Sequence, residues 1–405
     1  MPIQFIFIVL LALTLCGEGM LTVTLTWTIL DKGGSVTHLG IILTLMSLLP
    51  FFMQKYSKSL KMWLTKSPLL IFSGVRCIGI ILIIISLLNS EHINVFTLYI
   101  FAGVFSIILF LSTQSLETYM SQMVLSGEIP AGKASNMLQT AIQIGAFGGN
   151  AIAGFMMNVG GFNNVLYGLA FSLGIGVFLP LLMPLLKSKD VQQNKKPVSN
   201  HIEKINPIDN SKILWITITG IAVLTIQLAS FNFLVPILFH DVYRWDPMQY
   251  GFVSAAAGLG ALLATLVGKF EKFIPRSIFL LIAVFDITLG LVHSWYLAIA
   301  VSFMLGFVFN RSRINQRTVM FDFIKTKEET VIWSSRSTLA FQFTKAALPL
   351  SLALPIQWIG IMNAGHLFGV IGTVVAATMM VIYLNELNHR KKIEVLQQEV
   401  APKSF

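Results

Sequence analysis

Apolar stretches long enough to cross a bilayer recur along the whole chain, separated by short polar connections. An α-helix rises 1.5 Å per residue, so about 20 apolar residues span the roughly 30 Å hydrocarbon core. Twelve segments fit this requirement: 3–30, 38–53, 68–88, 95–116, 135–158, 162–186, 212–238, 247–268, 277–293, 295–312, 332–356 and 362–384. The second and ninth are the shortest. The pattern predicts an all-α membrane protein with twelve transmembrane helices. The opening Met1-Pro2-Ile3-Gln4 has no basic n-region, and no small-residue cleavage site follows it. The first run is therefore read as a retained helix and not as a removed signal.

The longest polar stretch, Lys187 to Lys212, contains Pro197, Pro207 and several Asn, Gln and Ser. It reads as a flexible linker. The expected organisation is an N-terminal six-helix bundle over 1–186, a linker over 187–211, a C-terminal bundle over 212–385 and a tail over 386–405. The two halves echo each other at an offset of 199 residues: Gln143 meets Gln342, Gly161 meets Gly360 and Asn164 meets Asn363. A second echo pairs Leu39-Gly40 with Tyr250-Gly251. A parallel repeat of this kind places a substrate site at the midplane between the bundles.

Composition agrees with the pattern. Of 405 residues, 55% are hydrophobic and 11% charged, against about 25% charged in soluble domains. A bilayer solvates apolar outer faces that water would not. The net charge of +10 invites a nucleic-acid reading, but the Lys and Arg residues lie between the apolar runs and form no single basic face. Alternate connections and the C-terminal tail hold 23 of them, and the remaining connections hold just Lys32 and Arg244. Positive charge accumulates on cytoplasmic loops, which places both termini in the cytoplasm. Cys16 and Cys77 fall within spans and offer neither a disulfide framework nor a metal-ligand spacing. No P-loop or nucleophile elbow is present, so no cofactor, metal, ATP-driven transport or enzymatic chemistry is expected.

The segment Thr22-Val23-Thr24-Leu25-Thr26-Trp27, followed by Gly34-Ser35, Leu39-Gly40 and Leu49-Pro50, resembles the first two helices of bacterial exporters similar to the enterobactin exporter. Glu128-Ile129-Pro130 with Ala134-Ser135-Asn136 resembles that group's entry to helix 5. Pro236 to Gly260, with Tyr250-Gly251 and Gly258-Leu259-Gly260, resembles its helix 7–8 hairpin. The resemblance implies the major facilitator fold, two pseudo-symmetric six-helix bundles with helices 1, 4, 7 and 10 around the centre. It also implies a monomer in a bacterial inner membrane. One departure concerns the loop between helices 2 and 3, Gln54-Lys55-Tyr56-Ser57-Lys58-Ser59-Leu60-Lys61. It keeps basic residues but lacks the Gly and Asp of the superfamily pattern, which puts the usual cytoplasmic latch in doubt.

Ionisable residues at membrane depth are costly and mark cavities or partners. Glu18 lies past the middle of helix 1, on a face with Thr14 and Thr22, and is a candidate proton carrier. Glu117, with Thr113 and Gln114 near one end of helix 4, is a second. Lys345 lies mid-way along helix 11 near Thr338, Gln342 and Pro349, a cation for a substrate carboxylate or a partner for Glu18. Further substrate-binding candidates are Gln114, Gln139, Gln143, Asn150, Gln227, Phe231, Asn232 and Gln342. Arg311, Arg313 and Arg336 are candidates for a cytoplasmic gate. Arg76 and Asp286 fall on helices 3 and 9 and read as structural.

The expected function is secondary active transport by alternating access, in the form of proton-coupled export of a small organic molecule such as a siderophore. The partners are substrate, protons and membrane lipids. Three alternatives remain open from sequence: a multidrug antiporter for lipophilic cations, an importer of a siderophore or nutrient, and a non-transporting sensor or scaffold.

Overall fold

A computed structural model describes residues 3–56, 63, 64, 66–90, 93–126, 131–182, 210–267, 274–324 and 327–400, with backbone alone at some helix positions. Residues 187–209 of the expected linker fall outside the described residues, as do Glu128-Ile129-Pro130 and most of the loop after helix 2. The described residues are nearly all helical. In order they form α1 (Ile3–Asp31), α2 (Val36–Tyr56), α3 (Pro68–Leu88) and α4 (Val95–Leu125). The run Ala131–Leu182 breaks at Gly160 and Gly161. Gly161 takes φ 67°, a conformation that a Cβ penalises, and it divides the run into α5 (131–159) and α6 (162–182). The second half holds α7 (Ser211–Ile237), α8 (Pro247–Leu266), α9 (Leu281–Leu291), α10 (Trp295–Phe323), α11 (Lys327–Ile359) and α12 (Ala364–Val400).

Local chemistry sets the helix starts. Asn94 accepts from the Thr97 backbone N–H at 3.0 Å, and the Thr97 hydroxyl accepts from the Asn94 N–H at 2.8 Å. This reciprocal cap satisfies two donors that an open helix end leaves bare. Asp246 and Gln249 do the same for α8, which also begins on Pro247, a residue suited to a first turn.

Among the described residues, ten helices are long and apolar enough to cross a membrane. The expected twelve differ from ten at two places: α5 and α6 run into one another, and α9 is short because Arg276–Leu280 before it winds as a 3-10 turn. Outward faces are apolar. On α3, Ile78, Ile81, Ile85 and Leu88 recur at helical spacing and are exposed, as a lipid-facing stripe requires.

The helices gather into two bundles. In the first, α1 packs on α5 and α6, and α3 on α4 and α6. In the second, α7 packs on α11 and α12, α8 on α10, and α9 on α12. Lipid is as apolar as a side chain, so helix association rests on close packing rather than on the hydrophobic effect. Small residues supply it: a Cβ on Gly260 would strike the Phe303 carbonyl, and one on Gly306 the Ala257 carbonyl, where α8 crosses α10.

Each bundle buries an ionisable residue of its third helix against its first. Arg76 of α3 donates to the Ser172 carbonyl at 3.0 Å, the Leu173 carbonyl at 3.3 Å and the Thr14 hydroxyl of α1. Asp286 of α9 accepts from Gln227 Nε2 of α7 at 3.1 Å.

Two seams join the bundles. Along one, α2 meets α11 with Gly40 against Pro349, Leu350 and Ala353. Along the other, α5 meets α8, with Gly154 against Gly251 and Asn150 donating to Ser254 Oγ at 2.6 Å. Both seams lie toward the end of the molecule where α1 finishes, called the far end below.

The expected boundaries shift furthest at three helix ends. Helix 4 runs to Leu125, helix 10 to Phe323 and helix 12 to Val400. Residues 386–400 of the segment expected as a tail thus continue α12, held at its root by polar bonds. Glu386 accepts from Arg276 at 3.2 Å and Arg390 at 3.1 Å, and Arg390 also meets Asp322 at 3.1 Å.

Candidate functional site

A cavity of about 570 Å³ lies between the bundles, within the range of small-molecule sites. Its walls come from both halves: α1, α2 and α4 on one side, α7, α10 and α11 on the other. It opens toward the end where α4 and α10 finish and α11 begins. The far end is filled by Trp27, Leu30, Phe239 and Tyr250, all buried.

Across the cavity Lys345 Nζ lies 3.7 Å from Glu18 Oε1. The side chains are 35% and 44% exposed, so both ends face cavity space. Glu18 belongs to the first bundle and Lys345 to the second, so the pair spans the divide. Thr22, one turn after Glu18, lines the cavity and donates its hydroxyl to the Glu18 carbonyl at 2.9 Å. On α11, Thr338, Gln342, Lys345 and Pro349 all line the cavity, as their spacing on one helical face requires. On α4, Thr113, Gln114 and Glu117 do so, with Gln114 Nε2 donating to Glu117 Oε2 at 2.8 Å. Asn232 of α7 completes this set of expected residues.

Other candidates lie elsewhere. Gln227 is buried and engaged by Asp286, and Phe231 is buried against Phe368 of α12 with centroids 6.3 Å apart. Both face the interior of the second bundle, because α7 turns them away from the cavity that Asn232 reaches. Asn150 belongs to the α5–α8 seam. Thr14 faces Arg76 and not the cavity. Gln139 and Gln143 lie on α5, but their side chains are outside the described residues.

The arginines divide as well. Arg311 is buried in the second bundle. Arg313 lies over the Phe341 ring at 4.9 Å, and Arg336 over Trp333 at 4.6 Å and Trp215 at 5.2 Å. Arg336 therefore stacks within its own bundle. Among the described residues, the arginine that lines the cavity is Arg317, which lies beyond the helix end expected at 312. Its signal was its spacing four residues after Arg313, on a helix that continues past the expected end.

The far end carries a second cross-bundle contact. α7 finishes in a π turn, Leu238–Val242, and such turns are frequent at functional positions. This one projects His240 toward α1: Nε2 lies 2.9 Å from Asp31 Oδ1, and Nδ1 lies 2.6 Å from Asp241 Oδ1. The ring meets Trp27 edge-on at 5.1 Å, and Trp27 stacks on Tyr250 at 5.9 Å. Gln357 donates to Thr37 nearby, joining α11 to α2.

The chain's sequence matches the profile of the Major Facilitator Superfamily over residues 6–344. No curated protein matches it. Among solved structures, it is similar to a bacterial homologue of the human lysosomal transporter Spinster, inward-facing and unoccupied, with 12% identity, a TM-score of 0.64 and 94% of each chain covered. It is also similar to the nucleoside transporter NupG, with 12% identity and a TM-score of 0.67, covering 95% of this chain and 99% of that one. At such identities the likeness is one of fold.

Proposed function

Because the chain belongs to the Major Facilitator Superfamily, a multi-pass membrane family of transporters, we propose that it is a proton-coupled exporter of a small organic molecule. The observation that carries this reading is the Glu18–Lys345 pair, which spans the two bundles inside a polar cavity open at one end. A proton on Glu18 removes its attraction for Lys345 and frees the bundles to part. A substrate that takes the place of the partners has the same effect. Proton and substrate thus act on one contact, which is what antiport by alternating access needs.

The direction rests on the resemblance of Thr22 to Trp27 and its neighbours to enterobactin-type exporters. The excess of Lys and Arg on one set of loops supports cytoplasmic termini in a bacterial inner membrane. With that orientation the cavity faces the cytoplasm, ready to load an exported solute. A siderophore would use Lys345 and Arg317 for its anionic groups. A lipophilic cation is less suited, since the walls are rich in amides and hydroxyls and Phe231 is turned away.

Everted membrane vesicles from cells overproducing the protein, energised with an acid interior and supplied with a metabolite extract, test this reading by mass spectrometry of the lumen. At least one small organic solute is expected to accumulate with the gradient, and Glu18→Gln to abolish that accumulation. Accumulation unchanged by the gradient or by Glu18→Gln would remove proton coupling from the mechanism. Gradient-driven accumulation confined to right-side-out vesicles would make the protein an importer.

A further inference from the structure

Four charged side chains line the cavity among the described residues, and they are sorted by bundle. Glu18 on α1 and Glu117 on α4 belong to the first; Lys345 on α11 and Arg317 on α10 belong to the second. The sorting repeats at two depths. Glu18 and Lys345 lie mid-way along their helices, and Glu117 and Arg317 lie nearer the open mouth. One wall is therefore acidic and the opposite wall basic along the path a solute takes.

We propose that the transported molecule is a zwitterion, carrying an amine and a carboxylate or similar anionic group, with the amine on the Glu18 wall and the anionic group on the Lys345 wall. The proposal rests on the reading of this cavity as the transport site. Charge balance carries it. Glu18 and Lys345 face each other at 3.7 Å, longer than the 2.7–2.9 Å or so of a tight charge-assisted bond. An anion that takes Lys345 leaves Glu18 facing the cavity without its partner. A cation that takes Glu18 strands Lys345. Unpaired charge away from bulk water is costly. A zwitterion replaces both partners charge for charge and strands neither. The hydroxyl and amide groups between the two walls, such as Thr22, Asn232 and Gln342, suit the polar middle of such a molecule.

The test uses the full-length protein in lipid nanodiscs and a metabolite extract fractionated by charge. Free-flow electrophoresis at neutral pH separates cations, anions and unmoved solutes. A second pass in acid, where carboxylates take up protons, draws zwitterions away from neutral molecules. Each fraction is scored by the shift it gives in thermal unfolding, since a ligand of the native state stabilises it. The zwitterionic fraction is expected to raise Tm by about 2 °C or more, and the singly charged fractions not to. Each variant should then change class: Lys345→Gln should respond to the cationic fraction, and Glu18→Gln to the anionic one. A variant that merely weakened the fold would lower Tm without exchanging one class for another. Stabilisation of the wild-type protein by the anionic or cationic fraction alone overturns the zwitterion and leaves the transport site standing. No stabilisation by any fraction removes the transport site, and the zwitterion with it.

Discussion

His240 Nε2 lies 2.9 Å from the Asp31 carboxylate, joining the end of α7 to the end of α1 across the divide between bundles. The other ring nitrogen faces Asp241 at 2.6 Å. Carboxylates only accept, and a neutral imidazole has a single N–H, so both contacts are satisfied together when the ring carries two protons. Asp31→Asn or His240→Ala is expected to loosen the far end. In a background of Cys16→Ala and Cys77→Ser, a cysteine replacing the buried Ser254 should then react several-fold faster with a membrane-impermeant thiol reagent added from that side. In the otherwise unaltered protein, raising the pH should act in the same direction, because loss of the ring proton removes one of the two bonds. Equal labelling in all forms would mean that the contact does not hold this end shut.

The α2–α11 seam can be fixed covalently. A Cβ on Gly40 would lie 3.1 Å from Ala353 Cβ, close to the approximately 3.5–4.5 Å of a disulfide. The double variant Gly40→Cys, Ala353→Cys is expected to cross-link under mild oxidation and to stop transport, with activity returning on reduction. Full activity in the oxidised, cross-linked form would show that the two helices need not separate at this point.

The Asp286–Gln227 contact predicts a stability effect without a transport effect. Gln227→Leu removes the amide that Asp286 uses and leaves the carboxyl buried without it, at a cost of about 1–3 kcal/mol. Thermal unfolding in detergent should register a fall of several degrees. Asp286→Asn, which keeps an amide-to-amide bond available, should cost less and leave transport intact. Loss of transport with Asp286→Asn at unchanged Tm would give Asp286 a part in the mechanism.

Close packing makes a sharper contrast. Gly306→Val drives a side chain into the Ala257 carbonyl where α8 crosses α10, and little folded protein is expected by size-exclusion chromatography. Gly74 on α3 has nothing within 4 Å of a Cβ position, so Gly74→Val should give near-normal yield. Equal yields would show that the α8–α10 crossing tolerates separation.

Much of this could be read from the chain. Glu18 and Lys345 stand out because a charge in an apolar run has few places to go. The polar faces of α4 and α11 followed from helical spacing. The azimuth of α7 did not, since its apolar residues surround it on all sides. Gln227 and Asn232 are five residues apart, about 140° around the axis; one meets Asp286 and the other the cavity. Nothing in the sequence says which. Arg317 was missed because Arg311 and Arg313 look like the edge of the bilayer, although α10 continues as a helix to Phe323. Charge next to an open polar cavity does not end a helix, so the membrane boundary and the helix boundary part company there.

At the α5–α8 seam, Gly154 lies against Pro247 and Gly251, backbone on backbone. Gly40 rests in the same way on the main chain of α11. Further along the α5–α8 seam, the Phe147 ring of α5 fills the notch that Gly258 leaves on α8. The two glycine contacts act as smooth bearings and the Phe147 ring on Gly258 as a detent: one half can roll over the other once that ring lifts from its notch, and the remaining resistance is left to a few polar contacts between the halves.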